Sequence, residues 1–247
     1  MAKTILCYGD SWTYGNIHGL KYAVKKYNMA KQFKVESEHR WGSEAKYFAE
    51  NPNLLPEAIS HTKADYVLLS LGGNDFKNIL WKKDRWIAPW TALSYIKRDL
   101  RTILNATYTK HPNVEVIMYG YDFMGDIEQD ISLSRLFPRY GHFISSAYRW
   151  FGVRLVNYYT RKLGDVLQEL STDFAKQGHN MKYYPLWGTL QHALIHGEES
   201  LTGDVSYSLA KPSPPKYMND AIHANYRGFE LLMTRLFTNY FMKASSA

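Results

Sequence analysis

Short apolar runs that stop at glycine, separated by amphipathic stretches, restrict this chain more than any other feature. Residues 4–8 (TILCY) end at Gly9, residues 65–71 (DYVLLSL) end at Gly72-Gly73, and residues 114–119 (VEVIMY) repeat the signature. Such runs suit strands buried on both faces of a parallel sheet. Residues 33–38 (FKVESE) alternate apolar and polar, as a strand near a sheet edge does. Residues 181–186 (MKYYPL) predict a fifth strand, with Pro185 placing it at an edge or close to its end. Helices are predicted over 20–32 and 54–61. Leu93, Ile96, Leu100, Ile103 and Leu104 share one helical face, and so do Val156, Tyr159, Leu163, Val166, Leu167, Leu170 and Phe174. Gly178 would stop the second of these helices. Phe229, Leu232, Met233, Leu236, Phe237 and Tyr240 line a last helix. Strands alternating with helices predict a parallel sheet covered on both faces.

At 247 residues, 45% of them apolar, the chain suits a single domain over residues 1–247. The stretches around 76–92 and 121–150 are less regular, and with 188–216 they read as aromatic-rich insertions, holding Trp81, Trp86, Trp90, Tyr140, Phe143 and Trp150 among others. Cys7 is the only cysteine, which excludes an internal disulfide and a cysteine-based zinc site. No run of 18 apolar residues exists to make a transmembrane segment. The opening MAKTILCYGDSW has neither the length nor the flanks of a signal peptide, so a cytoplasmic location is expected. The net charge of +7 reads as a solubilising surface, since no basic run is long. The WKKDRW segment at 81–86 is too isolated to argue for nucleic acid, and no nucleic-acid partner is expected.

Ligands of open parallel sheets bind beyond the carboxyl ends of the strands. Three motifs lie there. Gly9-Asp10-Ser11-Trp12-Thr13-Tyr14-Gly15 follows the first strand and can expose a serine hydroxyl. It is neither a phosphate-binding loop nor a G-x-S-x-G elbow, because Thr13 stands at the final glycine position. Gly72-Gly73-Asn74-Asp75 follows the 65–71 strand and could aim the Asn74 amide at the same crevice. Asp220-Ala221-Ile222-His223 precedes the last helix, and an Asp three residues before a His can hold one ring nitrogen while the other faces a serine.

Taken together, in this order and on this pattern, Ser11, Asn74 and the Asp220–His223 pair resemble the SGNH (GDSL-type) hydrolase family over residues 5 to 243. The resemblance implies a three-layer α/β/α sandwich with a mostly parallel, roughly five-stranded, flavodoxin-like sheet. It implies a carboxylic-ester hydrolase with Ser11 as nucleophile, His223 as general base and Asp220 orienting the histidine. The oxyanion hole would use the Ser11 amide, the Asn74 side chain and a glycine amide. The family's usual Asn-x-Gly-x-x-Gly pattern is absent, and Gly42 in HRWGSE is the candidate. In the rival alignment Arg40-Trp41 open a helix, and no glycine serves. Trp12 stands where a smaller residue is usual after the serine, and Ala224 where a proline commonly follows the histidine.

Trp12, Trp41 and Asp75 are candidates to line a substrate pocket. The expected partner is a small-molecule, lipid or sugar ester, with peripheral membrane contact left open. No metal or organic cofactor is expected. His192 and His196, four apart with Glu199 nearby, lack the glutamate of H-E-x-x-H, because Ala193 occupies that position. Two rivals share these residues or this fold: acyl transfer to an alcohol through the same triad, and a non-catalytic carbohydrate- or lipid-binding module.

Overall fold

Consecutive residues of a strand point to opposite faces of its sheet. Ile5, Leu6 and Cys7 are all fully buried, so the first strand is covered on both sides. The computed structural model describes residues 2–75, 89–125, 153–220 and 222–243. In it this strand, β1 (Lys3–Gly9), is the second of a five-stranded sheet. Its companions are β2 (Phe33–His39), β3 (Tyr66–Ser70), β4 (Glu115–Tyr119) and β5 (Met181–Tyr184). The order is β2-β1-β3-β4-β5, and every pairing is parallel. This is the flavodoxin-like order, which reverses direction between β1 and β3. The alternating segment, β2, is an edge strand as its pattern predicts, and β5 at the other edge ends just before Pro185.

The chain groups into two compact units. The first comprises Met1–Ile17, Val24–Gly120 and Lys162–Pro185 and holds the whole sheet. Helices α2 (Ala45–Glu50), α3 (Leu54–Thr62) and α4 (Pro89–Lys110) belong to it, and two more helices run through both units: α1 (Ser11–Lys26) and α5 (Val153–Lys176). Its core is built from Val67, Leu68, Val116, Ile117 and Met118 of the sheet with Ile96, Leu100 and Ile103 of α4 and Leu167, Leu170 and Phe174 of α5, all at 1% exposure or less. Each such side chain contributes roughly 1.5–3 kcal/mol by leaving water. With both faces of the sheet buried under helices, the architecture is a three-layer α/β/α sandwich.

The second unit comprises His18–Ala23, Tyr121–Arg161 and Leu186–Ala247. It holds α6 (Thr189–His196) and α7 (Tyr226–Leu236), the latter continuing as a π-helical turn over Phe237–Met242. Leu231, Leu232, Met233 and Leu236 are its apolar centre. The buried Asp122 carboxylate accepts N–H groups from Phe123, Gly188 and Leu190 and so satisfies the start of α6. Burial pushes its pKa up to about 6 against the pull of those donors. Arg227 bridges Glu198 and Glu230 on the same unit.

Several elements differ from their sequence patterns. The helix expected over 20–32 starts at Ser11 and ends at Lys26, where the chain turns through Asn28 in the left-handed region (φ 57°). The glycines inside it do not break it. At Gly19 a β-carbon would lie 2.2 Å from the carbonyl oxygen of Phe229, so the helix needs a residue without a side chain there. Helix α4 begins at Pro89, inside the stretch expected to be irregular, and proline suits a first helical turn. The 188–216 insertion contains α6, so His192 and His196 do lie on a helix. Trp81, Trp86, Tyr140, Phe143, Trp150 and the side chain of Trp90 lie outside the described residues, as does WKKDRW.

Candidate active site

The candidate residues divide between the two units: Ser11, Gly42 and Asn74 in the first, Asp220 and His223 in the second. In the first, β1 is flanked by β2 and β3, and Gly9 is level with both His39 and Ser70. Three segments therefore leave the sheet side by side at its carboxyl edge: Asp10-Ser11, Arg40 to Ser43, and Leu71 to Asp75. Gly9 makes the first exit feasible. Its φ is +141°, and a β-carbon would sit 1.9 Å from the Ser70 carbonyl oxygen.

Asp10 then caps α1. Its Oδ1 accepts the Trp12 N–H at 3.0 Å and the Ser70 hydroxyl at 3.2 Å, and its carbonyl accepts the Thr13 N–H at 3.1 Å. Ser11 is consequently the first residue of a 16-residue helix. The N-terminal end of such a helix carries about half a positive charge, which favours negative charge developing beside it. The capping role of Asp10 was not read from the sequence, although a polar residue immediately before a helix is its ordinary signature.

Gly42 lies in a turn over Arg40–Ser43, not in a helix, and α2 begins three residues later at Ala45. Its φ of +69° is left-handed, and nothing lies within 4 Å of where a β-carbon would stand. The Asn74 side chain is buried and donates through Nδ2 to the Ser43 carbonyl at 3.2 Å, tying the β3 exit to the Gly42 turn. Asp75 adds a second tie. Its Oδ2 accepts the Ala45 N–H at 2.7 Å, satisfying an orphan donor at the start of α2 that Glu44 leaves uncapped. Burial raises the Asp75 pKa to about 7, although its backbone hydrogen bonds act in the opposite direction. Asp75 and Trp12 are both buried, at 6% and 5% exposure, whereas Trp41 is 62% exposed.

In the second unit, a bridge between Met218 and Ala224 closes a tight loop that ends where α7 begins. Asp220 organises this loop. Its Oδ1 accepts the N–H of Ile222 at 2.7 Å and of His223 at 2.6 Å. The His223 ring meets the same carboxylate through Nδ1, 2.9 Å from Oδ2 and 3.2 Å from Oδ1. A carboxylate there accepts the Nδ1 proton and leaves Nε2 as the basic nitrogen. Partial burial acts to raise the Asp220 pKa, but the bonds to the His223 ring and to the two backbone amides outweigh it and hold the group below its ordinary value. Asn225 caps α7 through Gly228 N–H at 2.9 Å and donates to the Lys216 carbonyl, which fixes the loop from its far side.

The His192 and His196 rings lie 4.5 Å apart, tilted by 36°, and both meet the Ser206 hydroxyl. Among the described residues, no group of three or more His, Cys, Asp or Glu side chains is placed to hold a metal ion. No helix among them is long and apolar enough to cross a membrane.

The fold is that of the SGNH-type hydrolases. Similar solved structures include an acetyl esterase with bound acetate, 12% identical with a TM-score of 0.60, the match covering 99% of both chains. A GDSL-like lipase from Parabacteroides merdae is 17% identical with a TM-score of 0.58, covering 98% of both chains. An acetylxylan esterase from Geobacillus stearothermophilus is 14% identical with a TM-score of 0.56, covering 97% of this chain and 95% of that one. No protein-family model matches the sequence, and no curated protein does.

Proposed function

We propose that the protein is a carboxylic-ester hydrolase that works through a Ser11 acyl-enzyme. The observation that carries this reading is the Asp220 carboxylate on His223 Nδ1 at 2.9 Å, which orients the ring and directs its proton affinity to Nε2. Supporting it are the position of Ser11 at the head of α1 and the esterases and lipase that share the fold.

His223 Nε2 takes the proton of the Ser11 hydroxyl as its oxygen attacks the ester carbonyl carbon. The carbonyl π electrons move onto oxygen, where the Ser11 and Gly42 amides and the Asn74 side chain stabilise them. When the carbonyl re-forms, the bond to the alcohol breaks and His223 protonates the departing oxygen. Water then enters, gives its proton to His223 and attacks the acyl carbon. The acid leaves, and the proton returns to Ser11. Each residue acts without a metal or organic cofactor in this scheme.

A fluorophosphonate probe tests the assignment directly. It should label the wild type at Ser11, and Ser11→Ala should be folded, unlabelled and slower on p-nitrophenyl acetate by several orders of magnitude. Labelling elsewhere, or near-normal turnover by Ser11→Ala, removes Ser11 from the mechanism.

A further inference from the structure

Three aromatic rings stand together on the unit that carries Ser11. Tyr14 lies one turn along α1 from Ser11, on the same helical face. Its ring centroid is 5.5 Å from that of Trp41 and 6.0 Å from that of His39, and the Trp41 and His39 rings are 5.9 Å apart. Each ring therefore touches the other two. Trp41 is nevertheless 62% exposed and Tyr14 44% exposed. Indole and phenol rings carry large apolar areas that ordinarily drive them into a core. Here two of them are ordered against each other at the surface.

Backbone geometry fixes the group in advance. His39 is the last residue of β2 and is level with Gly9, two residues before Ser11. The Arg40 N–H then donates to the Gly9 carbonyl at 2.9 Å, locking the start of the Trp41-Gly42 turn to the strand that leads to Ser11. The rings are tilted against one another by 43° to 73°, so the surface is angular, combining aromatic faces with a phenol hydroxyl, an indole N–H and an imidazole. A pyranose ring has the matching chemistry, an apolar C–H face for the π surface and hydroxyls around its rim for the polar edges. An aliphatic acyl chain gains most by full removal from water, which an exposed platform does not provide.

We infer that Tyr14, His39 and Trp41 form a stacking platform for the sugar ring of an acylated glycoside, so that the alcohol half of the ester is a carbohydrate. This inference rests on the hydrolase reading above and adds the substrate class to it.

The test compares methyl 2,3,4-tri-O-acetyl-β-D-xylopyranoside with ethyl acetate on the full chain. The quantity read is the ratio of kcat/KM for the pyranoside to kcat/KM for ethyl acetate. Stacking energies near 1.4 kcal/mol correspond to a factor of ten, so Trp41→Ala and Tyr14→Ala should each lower the ratio about tenfold, mainly through the pyranoside KM. Trp41→Phe, which keeps a flat ring, should retain most of it. A ratio within twofold of wild type in Trp41→Ala overturns the platform, as does a wild type that cleaves ethyl acetate but not the pyranoside. If wild type cleaves neither ester, the hydrolase reading fails, and the platform is judged by binding alone. Saturation-transfer NMR with methyl β-D-xylopyranoside should then give a signal that Trp41→Ala abolishes, and no signal with the wild type overturns the inference.

Discussion

Asp220 holds His223 twice, by the ring Nδ1 at 2.9 Å and by the backbone N–H at 2.6 Å. One carboxylate thus fixes both the loop and the imidazole it carries. This couples ring orientation to backbone conformation, so the chemical role of the charge and its structural role fall on one group.

Asp220→Asn separates these roles. The amide oxygen can still accept the two backbone N–H groups, but a neutral group no longer stabilises the charged ring. The expected result is an unchanged melting temperature with kcat lower by about 10³–10⁴-fold. A loss of less than tenfold in a well-folded variant would remove Asp220 from catalysis.

Asn74→Ala removes both the proposed oxyanion donor and the tie to the Ser43 carbonyl. A drop of about 10²–10³ in kcat is expected, with KM little changed. Gly42→Ala keeps the backbone N–H and meets no atom within 4 Å, but its φ of +69° costs about 1–2 kcal/mol of stability. It should retain more activity than Asn74→Ala. The reverse order in steady-state kinetics would exclude Asn74 as the stronger donor.

Asp75 makes stability depend on pH. Its folded pKa of about 7 lies above the ordinary 3.8, so the fold favours the neutral acid. That contribution is complete below about pH 4 and is lost as pH rises through about 7. Asp75→Asn removes the buried charge while its amide oxygen can still accept the Ala45 N–H. The variant should melt close to wild type below about pH 4 and gain on wild type progressively above it, the gain between pH 5 and pH 8 corresponding to on the order of 2–3 kcal/mol. A melting-temperature difference that is the same at both pH values would refute this account.

Gly9→Ala places a methyl group 1.9 Å from the backbone oxygen of Ser70, where no flexible side chain can yield. The two central strands would have to separate at the point where Asp10 N–H meets the Ser70 carbonyl. A loss of about 3 kcal/mol or more is expected in urea unfolding. A loss below 1 kcal/mol would show that the sheet edge relaxes freely.

The strands were legible in the chain itself. A strand covered on both faces must be apolar at consecutive positions, and 4–8, 65–71 and 114–119 carry that mark. The Asp220–His223 pair was legible too, because three residues of spacing allow a local contact whatever the rest of the fold does. Periodicity carries no record of strand order, so the placement of β1 between β2 and β3 could be expected only through the family resemblance and is fixed by tertiary pairing. Tertiary contact likewise fixes the role of Asp75, which satisfies Ala45 30 positions away, and the start of α1, which Asp10 secures with the help of Ser70. The Tyr14–His39–Trp41 cluster joins a helix to the end of a neighbouring strand. Residues that meet through sheet register leave no shared spacing in sequence, whereas residues that meet within one turn do.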